Sequence, residues 1–380
     1  MITPRFPAFI LLAGSSLLLF SACDKALFAE DSAETEVAAD ACPSLTAHLA
    51  EMDATRQEKN MRLLEYFSPA EIADIQTNTC LSKAPLETGH GLDERASGLK
   101  GRFWTPGATI RVRFLNGSTT LQQKVFACAQ EWGNYANVHF SKVTSGASEV
   151  RILFGEDGHW SYIGTDNSSI DACDETMGLQ LTDQTSNTEI RRVALHEFGH
   201  VLGLRHEHQQ PLSSIPWKTS AVYAYYAQQD WTQEEVNQQV LNKNTTESSQ
   251  YTNFDASSIM EYPVSATLTT NGYSIGWNTQ LSSADKSFVS LMYSSNRMRI
   301  RHAATGYNSN ITFLLAGIYH TLKPGESLSV PALTSANALA IWEQATSGAW
   351  SWDDGYAPVY GKNYKIVRVG STNDLTIQVD

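Results

Sequence analysis

His196-Glu197-Phe198-Gly199-His200-Val201-Leu202-Gly203-Leu204-Arg205-His206, followed by Glu207 and His208, carries four of the chain's ten histidines within thirteen residues. Residues four apart sit one turn apart on the same helix face, so His196 and His200 can share one ion. Glu197 stands one step round the helix, within reach of a water bound to that ion. Gly203 can take the left-handed backbone that ends a helix and turns the chain sharply, which returns His206 as a third ligand. Three neutral imidazoles leave one open position, the arrangement of a catalytic zinc site and not a structural one. Zn2+ acidifies its bound water, and a nearby carboxylate takes the proton. The plain alternative is an amphipathic helix with surface histidines; a pattern of this length and spacing argues against it.

The extended motif resembles that of metzincin peptidases. Downstream, Ser258-Ile259-Met260-Glu261-Tyr262-Pro263 resembles the methionine turn of the astacin family, which reads Ser-x-Met-His-Tyr. The resemblance covers roughly residues 101–295. It implies a zinc-dependent endopeptidase in which His196, His200 and His206 bind Zn2+ and Glu197 serves as general base and then general acid. It also implies that Met260 floors the site, and that Tyr262 is a further zinc ligand that swings away to stabilise the oxyanion. Glu261 stands where the family has histidine. The expected fold class is α+β: a metzincin (zincin) catalytic domain, with a twisted mixed sheet and an active-site helix. A helical pro-segment precedes it and a small C-terminal β-sandwich follows. The expected partner is a protein or peptide substrate. The net charge of -13 and the lack of a basic patch argue against nucleic acid.

Four segments follow: a signal peptide (1–22), a tether and pro-segment (23–99), the peptidase domain (100–296) and a β-rich domain (297–380). Arg5 precedes an apolar run from Phe9 to Phe20 that is too short to make a good membrane span and reads as an export signal. Ser21-Ala22-Cys23 resembles a bacterial lipobox, which would place a lipid anchor on Cys23 and the chain in the cell envelope, periplasm or outer membrane. Ordinary cleavage near Ala22 and free secretion is the competing reading. Cys42, Cys80, Cys128 and Cys173 then form an even set suited to two disulfides, most simply Cys42–Cys80 and Cys128–Cys173. A Cys80 thiolate occupying the zinc's open position, as in some other metzincins, is the rival to its disulfide. Asp93 is the nearest candidate for the aspartate with which the astacin pro-segment blocks zinc. Cleavage after Arg95 in the small, polar linker 93–101 would create an amino terminus at Ala96, about where the family matures. In that family the new amine pairs with the glutamate after the third histidine, which Glu207 matches.

Apolar alternation predicts a strand from Ala108 to Phe114, and helical spacing predicts a helix from Thr119 to Ala136. Further strands are expected at 138–143, 149–154 and 177–181. By the resemblance, an edge strand ahead of the active helix pairs with the substrate backbone. Beyond Arg297, short alternating runs separated by Pro324-Gly325, Asp354-Gly355 and Gly370 suggest a β-sandwich. Trp342, Trp350, Trp352, Tyr356, Tyr360 and Tyr364 in that unit could contact a glycan or could fill its core and rim. These rings motivate the alternative reading of the whole chain, a surface or glycan-binding adhesin with a latent peptidase fold. An intact Glu197 speaks against it.

Overall fold

The alternating Ile110 and Val112 lie on a strand whose inner face points into one core. The computed structural model describes residues 80–83, 98–155, 158–228, 231–332, 339–344, 350–358, 361–369 and 374–380. The export signal, Cys23, Cys42, Asp93, Arg95 and the expected pro-segment helices lie outside these residues. Strands β1 (Cys80–Lys83), β3 (Thr109–Phe114), β4 (His139–Lys142), β5 (Val150–Phe154), β6 (His159–Tyr162) and β7 (Met177–Leu179) form a sheet in the order β1-β6-β7-β5-β3-β4. The strands β4, β3, β5 and β7 run parallel, and β6 runs antiparallel to β7.

Two helices pack on this sheet. In α1 (Thr119–Gly133), the Ser118 side chain accepts from the Leu121 amide and satisfies one of the orphan donors of the first turn. Leu121, Val125, Ala129 and Trp132 make its buried stripe. In α2 (Asn187–Val201), Ser186 caps in the same way and Glu189 lies in the first turn, where the helix dipole favours negative charge. Ile190, Val193, Ala194, Phe198 and Val201 join the sheet's Ile110, Val112 and Ile152 in one apolar cluster. The far end of α2 is tied down by two aromatic donors. The Trp104 indole donates to the Val201 carbonyl at 2.7 Å, and the Tyr293 hydroxyl donates to the Leu202 carbonyl at 2.8 Å. Helices α3 (Thr219–Ala227) and α4 (Gln233–Val236) follow, and α4 runs into a π-helical turn, Asn237–Leu241. Tyr226 is buried there against Val222, Val236, Val240 and Leu268, in a cluster separate from the main core. The domain closes with α5 (Ser283–Met292).

The C-terminal residues form two four-stranded sheets. One, in the order β11-β10-β13-β14, contains Ile318–Leu322, Ile311–Leu315, Leu339–Gln344 and Trp350–Tyr356. The other, β12-β9-β15-β16, contains Ser327–Pro331, Arg297–His302, Tyr364–Arg368 and Leu375–Val379. Ile300, Val330 and Ile366 from one sheet meet Phe313, Leu322 and Ile341 from the other in one cluster. It joins the catalytic domain through a bridge between Tyr251 and Tyr319 beside the small pair β2 (Gly98–Leu99) and β8 (Ser249–Gln250). Lys100 reaches across the junction to the Thr321 carbonyl at 2.8 Å and the Glu326 carboxylate at 2.6 Å. Trp352 packs between Trp342 and Tyr319, with ring centroids at 5.1 and 5.8 Å.

Two expectations are corrected. Cys128 is a buried thiol on α1 while Cys173 is disulfide-bonded, so the two do not pair with each other. Even parity allowed that pairing, but Cys128 is enclosed by its own helix's packing and hydrogen-bonds to the Lys124 carbonyl. The strand at Met177 is also not the substrate-facing edge. It lies inside the sheet between β5 and β6, and β6 is covered in turn by β1, the outermost strand on that side.

Candidate active site

The site is assembled from one helix and one returning turn. On α2, His196 and His200 project from the same face, with ring centroids 4.9 Å apart. Gly203 follows with φ +86°, a conformation that side-chain-bearing residues avoid, and the chain reverses. His206 then enters, with its ring 4.8 Å from that of His200 and 5.3 Å from that of His196. The three histidines offer ligand atoms that all lie within 4.8 Å of one another, and all three are buried.

These residues fit Zn2+. His200 Nδ1 lies 2.8 Å from the Leu204 carbonyl and His196 Nδ1 lies 2.8 Å from the Ile259 carbonyl. A carbonyl only accepts, so each Nδ1 carries the proton and each Nε2 presents a lone pair. The Nε2 atoms of His200 and His206 face each other at 3.2 Å. Two nitrogens bound tetrahedrally at about 2.0–2.1 Å from one zinc lie about 3.3 Å apart. His196 Nε2 is buried with no hydrogen-bond partner among the described residues, a costly orphan that a metal would satisfy. Burial, followed by the neighbouring His200, holds the His196 imidazole well below its ordinary pKa. Burial lowers His200 to about 4 and drives His206 far down. Neutral imidazoles are the form a metal requires.

Beneath the ligands, Met260 is 2% exposed and packs directly against Gly199. A Cβ on Gly199 would run into the Met260 sulfur, which explains the glycine inside the histidine motif. Met260 also accepts, through its carbonyl, the Glu207 amide at 3.0 Å. Glu197 is 1% exposed and lies between the two helical histidines in the chain. The Tyr262 ring lies 4.4 Å from that of His206 and 6.2 Å from that of His196. The motif and the turn, far apart in sequence, therefore meet. His159 is buried on β6. It accepts from the Gln180 amide at 3.1 Å and takes no part in the ligand group.

Three residues to which sequence reasoning gave no part in the site also shape it. The Asp285 carboxylate, one turn into α5, accepts from Ser258 Oγ at 2.6 Å and from the amides of Ile259 and Ser282 at 2.8 and 2.9 Å. It braces the turn whose carbonyl orients His196. His208 is 2% exposed and packs against the Tyr262 ring at 4.5 Å between centroids. Glu261, where the resemblance expects histidine, is a buried carboxyl that burial, and then Glu207, raises well above the usual range. A local Asp near a helix start was visible as a cap, but nothing local tied it to a turn 26 residues earlier.

The sequence profile described as Astacin, a peptidase family, matches residues 97–294. Among solved structures, one of myroilysin is 42% identical and covers 53% of this chain and 99% of that chain, with a TM-score of 0.51. A second myroilysin crystal structure is 37% identical over 59% of this chain and 95% of that chain, with a TM-score of 0.44. High choriolytic enzyme 1, a hatching enzyme zinc-protease from Oryzias latipes (medaka fish), is 15% identical over 52% of this chain and 98% of that chain, with a TM-score of 0.38. No curated protein matches the chain. The profile spans the sheet's strands β3 to β7, the three-histidine group and the methionine turn together, and with that span the chain belongs to the astacin family of zinc metalloendopeptidases.

Proposed function

We propose that the chain hydrolyses internal peptide bonds of protein substrates with His196, His200 and His206 as zinc ligands and Glu197 as the proton-transfer group. The observation that carries this reading is the grouping of three buried imidazoles with their ligand atoms within 4.8 Å of one another and the Tyr262 ring 4.4 Å from that of His206, with the buried Glu197 next in the chain to His196. When bound there, Zn2+ supplies Lewis-acid chemistry, acidifying water and polarising a carbonyl. Glu197 takes a proton from the attacking water and delivers it to the leaving amine. The Tyr262 phenol donates to the oxygen on which negative charge develops. The carbonyls of Ile259 and Leu204 hold two ligand rings in the tautomer that leaves Nε2 free, and Met260 keeps the floor rigid.

Latency is part of the proposal. Strand β1 pairs in parallel with β6, from Cys80 opposite His159 to Lys83 opposite Tyr162. The edge of β6 is where an extended substrate backbone would add a strand, and β1 occupies it. Cleavage after Arg95 would free that edge and leave Ala96 two residues ahead of β2. Gly98 bridges Leu204 of the zinc motif, and Leu204 also lines a small pocket with Glu207, Asp255 and Asp285. An amine delivered there would meet carboxylates, in keeping with Glu207's expected role. Export by the amino-terminal run completes the reading. Among the described residues, no helix is long and apolar enough to cross a membrane.

The test is casein cleavage by the purified, processed enzyme, with and without a zinc chelator, beside Glu197→Gln. The expected result is chelator-sensitive cleavage that falls by at least about a thousandfold in the variant while zinc stays bound. Undiminished cleavage by zinc-loaded Glu197→Gln would overturn the assignment of the base.

A further inference from the structure

A fourth buried histidine adjoins the site without joining the ligand group. His208 lies two residues past His206, in the short turn Glu207–Gln209. Its Nε2 lies 3.1 Å from the Gln239 carbonyl, so Nε2 carries the proton and is spent on that bond. Its Nδ1 is buried and has no hydrogen-bond partner among the described residues. The ring packs against that of Tyr262, at 4.5 Å between centroids with the planes tilted by 34°. The ring also lies nearly parallel to that of His206, at 5.4 Å and 18°, and edge-on to Trp217 at 6.3 Å.

The anchor is set by backbone geometry. The π-helical turn Asn237–Leu241 closes with the Asn242 amide on the Asn237 carbonyl at 2.8 Å. The carbonyls at such an end have no intrahelical donors and carry partial negative charge. Two neighbouring side chains of the Glu207–Gln209 turn fill them. His208 takes Gln239, and Gln209 Nε2 donates to the carbonyls of Gln238 at 2.7 Å and Asn242 at 3.1 Å. The Gln209 carbonyl in turn accepts the Asn244 amide at 2.8 Å. The ring beneath Tyr262 is therefore fixed in position, rotamer and tautomer by an element about thirty residues away.

We propose that His208 is a positioning residue for Tyr262: clamped by the Gln239 carbonyl, its ring is the platform that holds the phenol over the open side of the three-histidine group. The inference rests on the reading of Tyr262 as a group that can meet the metal. It explains why a second histidine follows so soon after the third ligand although its own nitrogens never face the ion. A fixed ring packed against the phenol limits the arc through which it can move, so the hydroxyl reaches the metal or a bound substrate with little reorganisation.

The experiment replaces zinc by Cu2+ in the active, processed enzyme and reads the phenolate-to-copper charge-transfer absorbance, which requires the Tyr262 oxygen on the metal. Tyr262→Phe, His208→Ala, His208→Phe and His208→Gln are compared with the wild type at one copper per chain, and the zinc forms are assayed for kcat and KM. The wild type shows the band and Tyr262→Phe lacks it. In His208→Ala the band per copper falls to about half or less, and kcat falls about tenfold with KM within about twofold. His208→Phe, which keeps the packed ring, retains most of the band. A wild type without the band, or a band that survives in Tyr262→Phe, overturns the reading of Tyr262 and this inference with it. A Tyr262-dependent band that is undiminished in His208→Ala overturns the role of His208 alone. If His208→Ala does not fold, the remaining pair decides: His208→Gln keeps a donor without a ring and must show a weaker band than His208→Phe, and the reverse order overturns the inference.

Discussion

Replacing Asp285 by alanine should loosen the zinc site from a distance. The Asp285 carboxylate accepts from the Ile259 and Ser282 amides and from the Ser258 hydroxyl. The residue is 6% exposed. Each hydrogen bond to a buried charged group contributes about 1.5–3 kcal/mol net, so three would suggest a loss well above 4 kcal/mol. The full sum overstates the effect, because the cavity lined by Ser258, Met260 and Asp285 gives water access to the vacated donors. A loss of about 3–4 kcal/mol in unfolding free energy is expected, within the range for removing one partner of a buried polar network. Asp285→Asn keeps one oxygen for the two amides, and the Ser258 hydroxyl can rotate to accept from the new amide group; its cost should be about 1–2 kcal/mol. Ile259, held by Asp285, supplies the carbonyl that orients His196, so zinc affinity should fall about tenfold or more in Asp285→Ala. The assays are urea unfolding and competition against a chelator of known affinity. A loss below about 1 kcal/mol in Asp285→Ala, with unchanged zinc affinity, would refute the brace.

Two further outcomes are expected. Alanine normally stabilises a helix interior by about 1 kcal/mol over glycine, but at Gly199 the collision with the Met260 sulfur should win and cost about 1–3 kcal/mol. Adding Met260→Ala should recover part of that loss, and strictly additive single and double variants in thermal unfolding would count against the contact. His320, fully buried on Phe313 with neither ring nitrogen partnered among the described residues, is pushed down to about 3 by burial and then by Arg297 and Lys100. The unfolded chain protonates this histidine near 6.5 and the folded chain near 3, so its contribution is intact above 6.5 and is lost as pH falls through that window. At pH 5 the difference is about 2 kcal/mol. His320→Leu should therefore narrow the gap in stability between pH 8 and pH 5 by about that amount in urea unfolding followed by tryptophan fluorescence, and an unchanged gap would reject the idea.

The parts of this site that could be read from sequence are those whose geometry is local. His196, Glu197 and His200 share one helix turn, and Gly203 announces the reversal that brings His206 back, so a helical period and one backbone preference are enough. Tyr262 is different. Nothing within the turn Ser258–Pro263 says that its ring will lie 4.4 Å from that of His206, and only the resemblance to a family supplied it. The edge of the sheet was misread for a related reason. Met177–Leu179 and His159–Tyr162 are both short apolar-polar runs, and their order in the sheet is decided by pairings that no local pattern encodes. Cysteine parity failed at Cys128 because it counts thiols without placing them, and helix α1 had already enclosed that one.

Asp285 and His208 mark the boundary most sharply. From sequence, Asp285 is the third residue of a capping box at the start of α5, and the structure confirms that use. The same carboxylate simultaneously holds the Ile259 amide, so a residue with an adequate local explanation carries a second, long-range one. His208 has no local explanation at all: it sits in a turn, where a histidine would ordinarily face water. Its meaning comes from a carbonyl 31 residues later and a phenol ring 54 residues later. Zinc ligands must obey a coordination geometry that a helix repeats, which makes them visible. The residues that hold those ligands and their tyrosine obey only the packing of elements that the chain brings together late, and they become visible when the distances are known.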